Sequence, residues 1–170
     1  MRKILTIFIL LLKNYSILRI FQIIETKRLI LKGKSLEFGA SKDYKKNFSY
    51  FLKNKSYFDY SNIDNKQDKK IIPLDLRKKL NIKSNLYSNV LIYNVLEHID
   101  DHSIVFKEIK KILNKNGNLI GSTPFLYQVH GAPKDYYRFT KDFFLEKLHE
   151  NGFKKINIMC MGYGPFVACF

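Results

Sequence analysis

Asn94, Glu97 and His98 stand together just after an apolar run, and His130, Asp135, Tyr136, Tyr137 and Arg138 crowd a second short stretch between the turn residues Gly131 and Pro133 and Thr140. Carboxylates, imidazoles and a guanidinium gathered in this way move protons and hold polar ligands rather than fill a core. His130 is the first candidate for a general base, because an unperturbed imidazole titrates near neutrality; His98 and Asp135 follow it. Glu97, His98, His130, Tyr136 and Arg138 are the residues expected to face a substrate. A third group, Glu37, Gly39 and Ser41, closes the short segment SLEFGAS. A glycine there lets backbone approach a ligand that a side chain would block. The pattern is not G-x-G-x-x-G, which argues against a dinucleotide enzyme. Cys160 and Cys169 show no ligand spacing, so no metal is expected.

The elements that must position these groups are legible in the hydrophobic pattern. Val90, Leu91, Ile92, Val95 and Leu96 form a nearly continuous apolar run, as in a strand covered on both faces. Polar residues past its carboxyl end lie where open α/β sheets bind ligands. Further strands are expected at Ser35 to Ala40, Tyr57 to Ile63, Ile71 to Leu76, Asn118 to Thr123 and Phe153 to Met161, with a polar helical stretch around Tyr44 to Leu52. The helix after the Val90 to Leu96 strand takes Asp100 or Asp101 as its cap. Val105, Ile109, Ile112 and Leu113 fall on one face, Lys107, Lys110 and Lys111 point away, and Gly117 supplies the stop. Thr140 caps a last helix whose stripe is Phe143, Phe144 and Leu148 and whose end is Gly152. Strands alternating with helices predict an α/β fold with a mostly parallel central sheet flanked by helices.

With 170 residues the chain is read as a single domain, an N-terminal helical segment over 1–34 and an α/β core over 35–170. The formal charge of +15 would suit nucleic acid or an anionic membrane. It is spread along the chain, however, and Lys outnumbers Arg by 25 to 5. Aromatic stacking platforms interleaved with arginines are missing, so nucleic acid is disfavoured as a partner. The apolar run Ile4 to Leu12 is about half the length of a membrane span and lacks a small-residue cleavage site. It reads as a packing helix, with a basic, membrane-surface helix as the competitor, which leaves peripheral membrane contact open. Two cysteines without a framework fit a reduced, cytoplasmic setting.

Two segments carry a family resemblance. Asn94 to His98 reads NVLEH, and Pro124 to Thr140 reads PFLYQVHGAPKDYYRFT. Both are similar to segments of the class I S-adenosylmethionine (SAM)-dependent methyltransferases of the methyltransferase type 11 kind. The resemblance implies a Rossmann-like class I methyltransferase fold, possessing at most a shortened C-terminal strand hairpin, with SAM as cofactor and no metal. It implies that Glu37, Gly39 and Ser41 match the E/D-x-G-x-G turn, with Ser41 where the second Gly normally stands. Asp64, or Asp59 if its strand ends earlier, would take the ribose hydroxyls; Asp75 would contact the adenine amino group, with Leu76 on the ring. Asn94 and Val95 would lie beside the methionine end, Glu97 and His98 at the mouth. Helices before the first strand would help to close the cofactor site. The Pro124 to Thr140 loop would face substrate; its other reading is a fold lock in which Asp135 and Arg138 pair with each other. Ser41, and Ser88 where the family often has Asp, depart from the pattern. The implied activity is methyl transfer to a small-molecule, sugar or lipid-linked acceptor. The alternatives are a non-catalytic methyltransferase-like binding or partner module and a nucleic-acid methyltransferase, the latter lacking the N/D-P-P-Y-like motif.

Overall fold

The computed structural model describes residues 2–54, 57–63, 69–131 and 134–159. Asp64, Pro133, Cys160 and Cys169 lie outside them. Two helices come first, α1 (Arg2–Leu12) and α2 (Ile17–Thr26), the second capped by the Ser16 hydroxyl, which accepts from the Arg19 N–H. Strands β1 (Ser35–Phe38), β2 (Phe58–Asn62), β3 (Ile71–Pro73), β4 (Tyr87–Tyr93) and β5 (Leu113–Ser122) build one sheet. Its order is β3-β2-β1-β4-β5, and every pairing is parallel. Helix α3 (Val105–Ile112) leads into β5, and α4 (Lys141–Glu150) follows the long loop after it. The expected α/β architecture is therefore present, with a Rossmann-like five-stranded parallel sheet.

The core explains why these segments pair. All four residues of β1 are buried, and β4 is covered on both faces, Val90 and Ile92 packing in the cluster that holds α3 and Leu91 packing on Leu31 and Leu52. Val105, Ile109 and Ile112 are the buried stripe of α3, as their spacing predicts. Burial at the sheet's amino end extends to polar groups because each is satisfied. Asn89 donates to Lys32 O and Ser35 Oγ and accepts from Asn118, and the Tyr87 hydroxyl donates to Asp59 at 2.7 Å. These bonds start β4 at Tyr87 rather than at the expected Val90.

Several boundaries differ from the sequence reading for local reasons. Strand β4 ends at Tyr93, not Leu96, because Asn94 turns the chain with φ +53°. Leu96–His98 is a 3₁₀ turn. Asp101 does not cap α3. Its carboxylate takes the N–H and hydroxyl of Ser103, and the capping position falls on Ile104 without a side-chain bond. Gly117 does not stop α3 either; Leu113 is already extended, and Gly117 sits inside β5, where the register shifts between Tyr87 and Asn89. Lys111 turns back to Glu108 and to Leu80 O instead of pointing away. Residues 44–52 form two 3₁₀ turns, Tyr44–Lys46 and Phe48–Phe51. The strand expected at Ile71 to Leu76 ends at Pro73.

Thr140 caps α4 by accepting from the Phe143 N–H, and Gly152 follows its end at φ +77°. Phe143, Phe144 and Leu148 are partly buried against the main core. No strand is formed over the described residues 153–159. Phe153 spends its N–H on Leu148 O in the turn that ends the helix, and Lys154 and Lys155 follow exposed.

Candidate active site

The carboxyl ends of β1 and β4 lie side by side, Phe38 opposite Ile92, and a cavity of about 600 Å³ opens over them. Glu37, Gly39 and Ser41 line it from β1 and Tyr93 from β4. The α1–α2 turn, Lys13 to Ser16, and Arg19 line it from the N-terminal helices. Gly39 has φ +70°, and a Cβ there would meet Val95 Cγ2 at 2.5 Å, so glycine is required both by the turn and by the close approach of the two strand ends. The buried Glu37 carboxylate accepts the N–H groups of Phe48 (2.7 Å) and Ser49 (3.0 Å). It thereby holds the second 3₁₀ turn over β1. Burial raises its pKa above the usual value, and the bonds from Ser49 and Phe48 oppose that rise.

The same turn makes the cavity wall. Phe48 stacks on Tyr93 with ring centres 4.0 Å apart, and the Arg19 guanidinium lies 3.8 Å above the Phe48 ring. Arg19 also donates to Lys46 O. Burial depresses its pKa, with Glu37 pulling the other way. Asn47 brackets Ser41 by accepting from its N–H at 2.6 Å and donating to its carbonyl.

A smaller cavity, about 200 Å³, continues from Ser16 and Arg19 to Gln22, Asn94, Pro124, Tyr127 and His130. Gln22 is fully buried; it donates to Asn94 Oδ1 at 2.7 Å and to Ser122 Oγ at 2.8 Å, and Asn94 donates back. The helical segment thus fixes the side chain of Asn94.

The loop after β5 is tied to the turn after β4. The Tyr136 N–H donates to Glu97 O at 2.8 Å, His98 Nδ1 meets Lys134 O at 2.6 Å, and the Tyr137 hydroxyl donates to Asp100 O. Arg138 grips both carboxylate oxygens of Asp135 and also reaches Tyr127 O and Gln128 O. The fold-lock pairing of Asp135 with Arg138 is therefore formed. The guanidinium holds the Asp135 carboxyl well below the usual carboxylate range, which makes it a poor proton acceptor. Its remaining bonds go to His130: Oδ2 accepts the His130 N–H at 2.9 Å and lies 3.1 Å from Nδ1. Asp135 is thus held by Arg138 on one side and faces His130 on the other.

Glu97 has no counterpart to the bonds of Glu37. It is fully buried, and no other described residue hydrogen-bonds either carboxylate oxygen. Burial pushes its pKa up to about 7 against the pull of its own backbone N–H, with the charge of Asp135 adding to the rise and Arg138 opposing it. His98 Nε2 stands 3.9 Å from Oε1, and the His98 and His130 rings meet edge to face at 5.0 Å.

The structure therefore gathers Glu37, Gly39 and Ser41 at one cavity and Asn94 and His130 at the next, with Val95 packed behind Gly39. Glu97, His98, Asp135, Tyr136 and Arg138 belong to the joined turn and loop. Asp75 and Leu76 line neither cavity. Asp75 is bound by Arg77, which donates from its backbone, Nε and Nη2, and Leu76 is buried in the main core. Asp59 lies toward the amino end of β2, paired with Lys34 and Tyr87, away from the site. The residues that sequence reasoning passed over are Arg19, Gln22, Phe48 and Tyr93. Gln22 had a signal, being polar amid Ile20, Phe21, Ile23 and Ile24; the Phe48–Tyr93 stack joins distant segments and had none.

Residues 54–121 match the family described as Methyltransferase domain. The match runs from just before β2 through most of β5 and includes Asn94 to His98. It supports a class I SAM-dependent methyltransferase family and, with it, SAM-dependent methyl transfer as the general chemistry. No curated protein and no solved structure gives a significant match to the chain.

Proposed function

We propose that this protein transfers a methyl group from SAM to an oxygen of a small-molecule, sugar or lipid-linked acceptor. The observation that carries the reading is the 600 Å³ cavity over the carboxyl ends of β1 and β4, bordered by Gly39. Its lining suits the cofactor: the Phe48–Tyr93 pair offers an aromatic wall, and Arg19, Lys13 and Lys46 offer cations for a carboxylate. SAM supplies a methyl carbon activated by a positive sulfur. The chain contributes alignment, worth much of the rate in a displacement of this kind, through the clamped Phe48 turn and the fixed Asn94. His130, oriented by Asp135, accepts the proton of the acceptor hydroxyl. Calorimetry with SAM and S-adenosylhomocysteine tests the reading. Micromolar binding by the wild type, lost in Gly39→Arg and Ser41→Arg, is expected; absence of binding by the folded wild type would leave the non-catalytic module as the better reading.

A lipid-linked acceptor draws support from α1. Leu5, Phe8, Ile9, Leu11 and Leu12 are exposed there, while Leu10 packs inward on Ile20, Ile23 and Phe48. No helix among the described residues is long and apolar enough to cross a membrane, so the contact would be peripheral, helped by the charge of +15. Sedimentation with anionic vesicles, but not neutral ones, is expected for the wild type and not for Phe8→Glu/Leu12→Glu.

A further inference from the structure

Glu97, His98 and His130 each present one donor atom, and the three atoms lie within 4.8 Å of one another. Cys/His spacing could not have revealed this group, because its members come from a 3₁₀ turn and a loop whose junction only folding makes. An isolated buried carboxylate is costly, and buried polar groups are normally partnered. Glu97 is fully buried with neither oxygen hydrogen-bonded by another described residue, beside the two imidazoles.

The imidazoles are held in the manner of metal ligands. Such a histidine usually gives its other ring nitrogen to a carbonyl or carboxylate, which fixes the tautomer and aims the coordinating nitrogen. His98 meets Lys134 O through Nδ1 at 2.6 Å and turns Nε2 toward Glu97. His130 Nδ1 meets Gln128 O at 3.3 Å and lies 3.1 Å from Asp135 Oδ2, and Asp135 is itself locked by Arg138. No described residue hydrogen-bonds His130 Nε2.

We propose that Glu97, His98 and His130 bind one divalent transition-metal ion, of which zinc is the best fit. Two imidazoles and one carboxylate form a nitrogen–oxygen donor set suited to a borderline cation without redox demands. Three protein ligands leave a position open, and His130 lines the 200 Å³ cavity, so that position is open to water or to an oxygen-bearing ligand. The site goes beyond methyl transfer and stands without it; His130 is free to accept a proton only in the metal-free protein.

The test is titration of the untagged, chelator-treated protein with Co²⁺, followed by visible absorption and by displacement with Zn²⁺. One ion per chain is expected. His130→Ala and Glu97→Gln should weaken binding by more than the ~10–100-fold that loss of an outer-shell partner costs, and Asp135→Asn should fall within that range. His130 is partly exposed, so its variant keeps a foldable core, which thermal unfolding verifies. Absence of Co²⁺ bands in folded wild-type protein, or undiminished binding by His130→Ala, would overturn the proposal.

Discussion

Glu37 and Glu97 are both buried at the carboxyl edge of the sheet, one at the end of β1 and one just past β4, yet they are treated oppositely. Glu37 receives two backbone N–H bonds from a neighbouring segment and fastens a turn; Glu97 receives none from any other described residue. A carboxylate whose partners are in the chain is part of the scaffold, whereas one left unpartnered at the same depth is held ready for something the chain does not supply. The contrast is open to direct attack. Glu37→Leu strands two donors and should cost about 3 kcal/mol. In metal-free protein Glu97→Gln should cost less than about 1 kcal/mol, since it removes a desolvated acid that no other described residue bonds. Equal losses in urea unfolding would erase the distinction.

The two regions touch at Gly39. Alanine there must adopt φ +70° and place its Cβ 2.5 Å from Val95 Cγ2. The left-handed backbone costs about 1–2 kcal/mol and the overlap adds to it, so Gly39→Ala should lose about 2 kcal/mol in all. In a Val95→Ala background the loss should shrink toward the backbone share alone. An unchanged loss in the double variant would mean that the strand ends do not press on each other.

How far the sequence showed this follows from the range of each interaction. The strands were legible because an apolar run such as Val90 to Ile92 is a local signal, and Thr140 and Gly152 marked α4 by local capping chemistry. Helix α3 was legible on its buried face but not at its ends, since Asp101 preferred the nearer Ser103 and Leu113 was claimed by Tyr87 across the sheet. The site residues followed the same rule. Glu37 inside β1 and Gly39 and Asn94 just past strand ends line the two cavities, and each stands at or near the carboxyl end of a strand that the sequence marks. Asp75 and Leu76 could not be placed, because one was taken by Arg77 two residues away and the other by the core. That Glu97 and His130 meet depends on a loop packing onto a turn, for which no local pattern exists.

The N-terminal helices add a smaller, separable contribution. Gln22 and Asn94, 72 positions apart, exchange bonds at 2.7 and 3.2 Å. A double-mutant cycle with Gln22→Ala and Asn94→Gly should return a coupling of about 1 kcal/mol. Because Asn94 lines the smaller cavity, Gln22→Ala should also weaken S-adenosylhomocysteine binding, read by calorimetry. Coupling near zero would make α2 a mere cover, and the two glutamates would then be arranged by the sheet alone.

The gentlest probe is pH. Burial raises the pKa of Glu37 above its ordinary 4.5, so the folded chain keeps a proton where the unfolded chain releases it. The stability tied to this group is fully present below pH 4.5 and is lost as pH rises through the folded value. Glu97 shares the sign, and the wild-type slope therefore sums both. Subtracting the melting curve of Glu37→Gln from that of the wild type isolates Glu37: the wild type should lose stability faster as pH rises above 4.5, and the two curves should run parallel below it. A difference that grows toward acid pH would mean that the backbone bonds from Phe48 and Ser49 outweigh burial, making Glu37 a carboxylate that the scaffold keeps ionised.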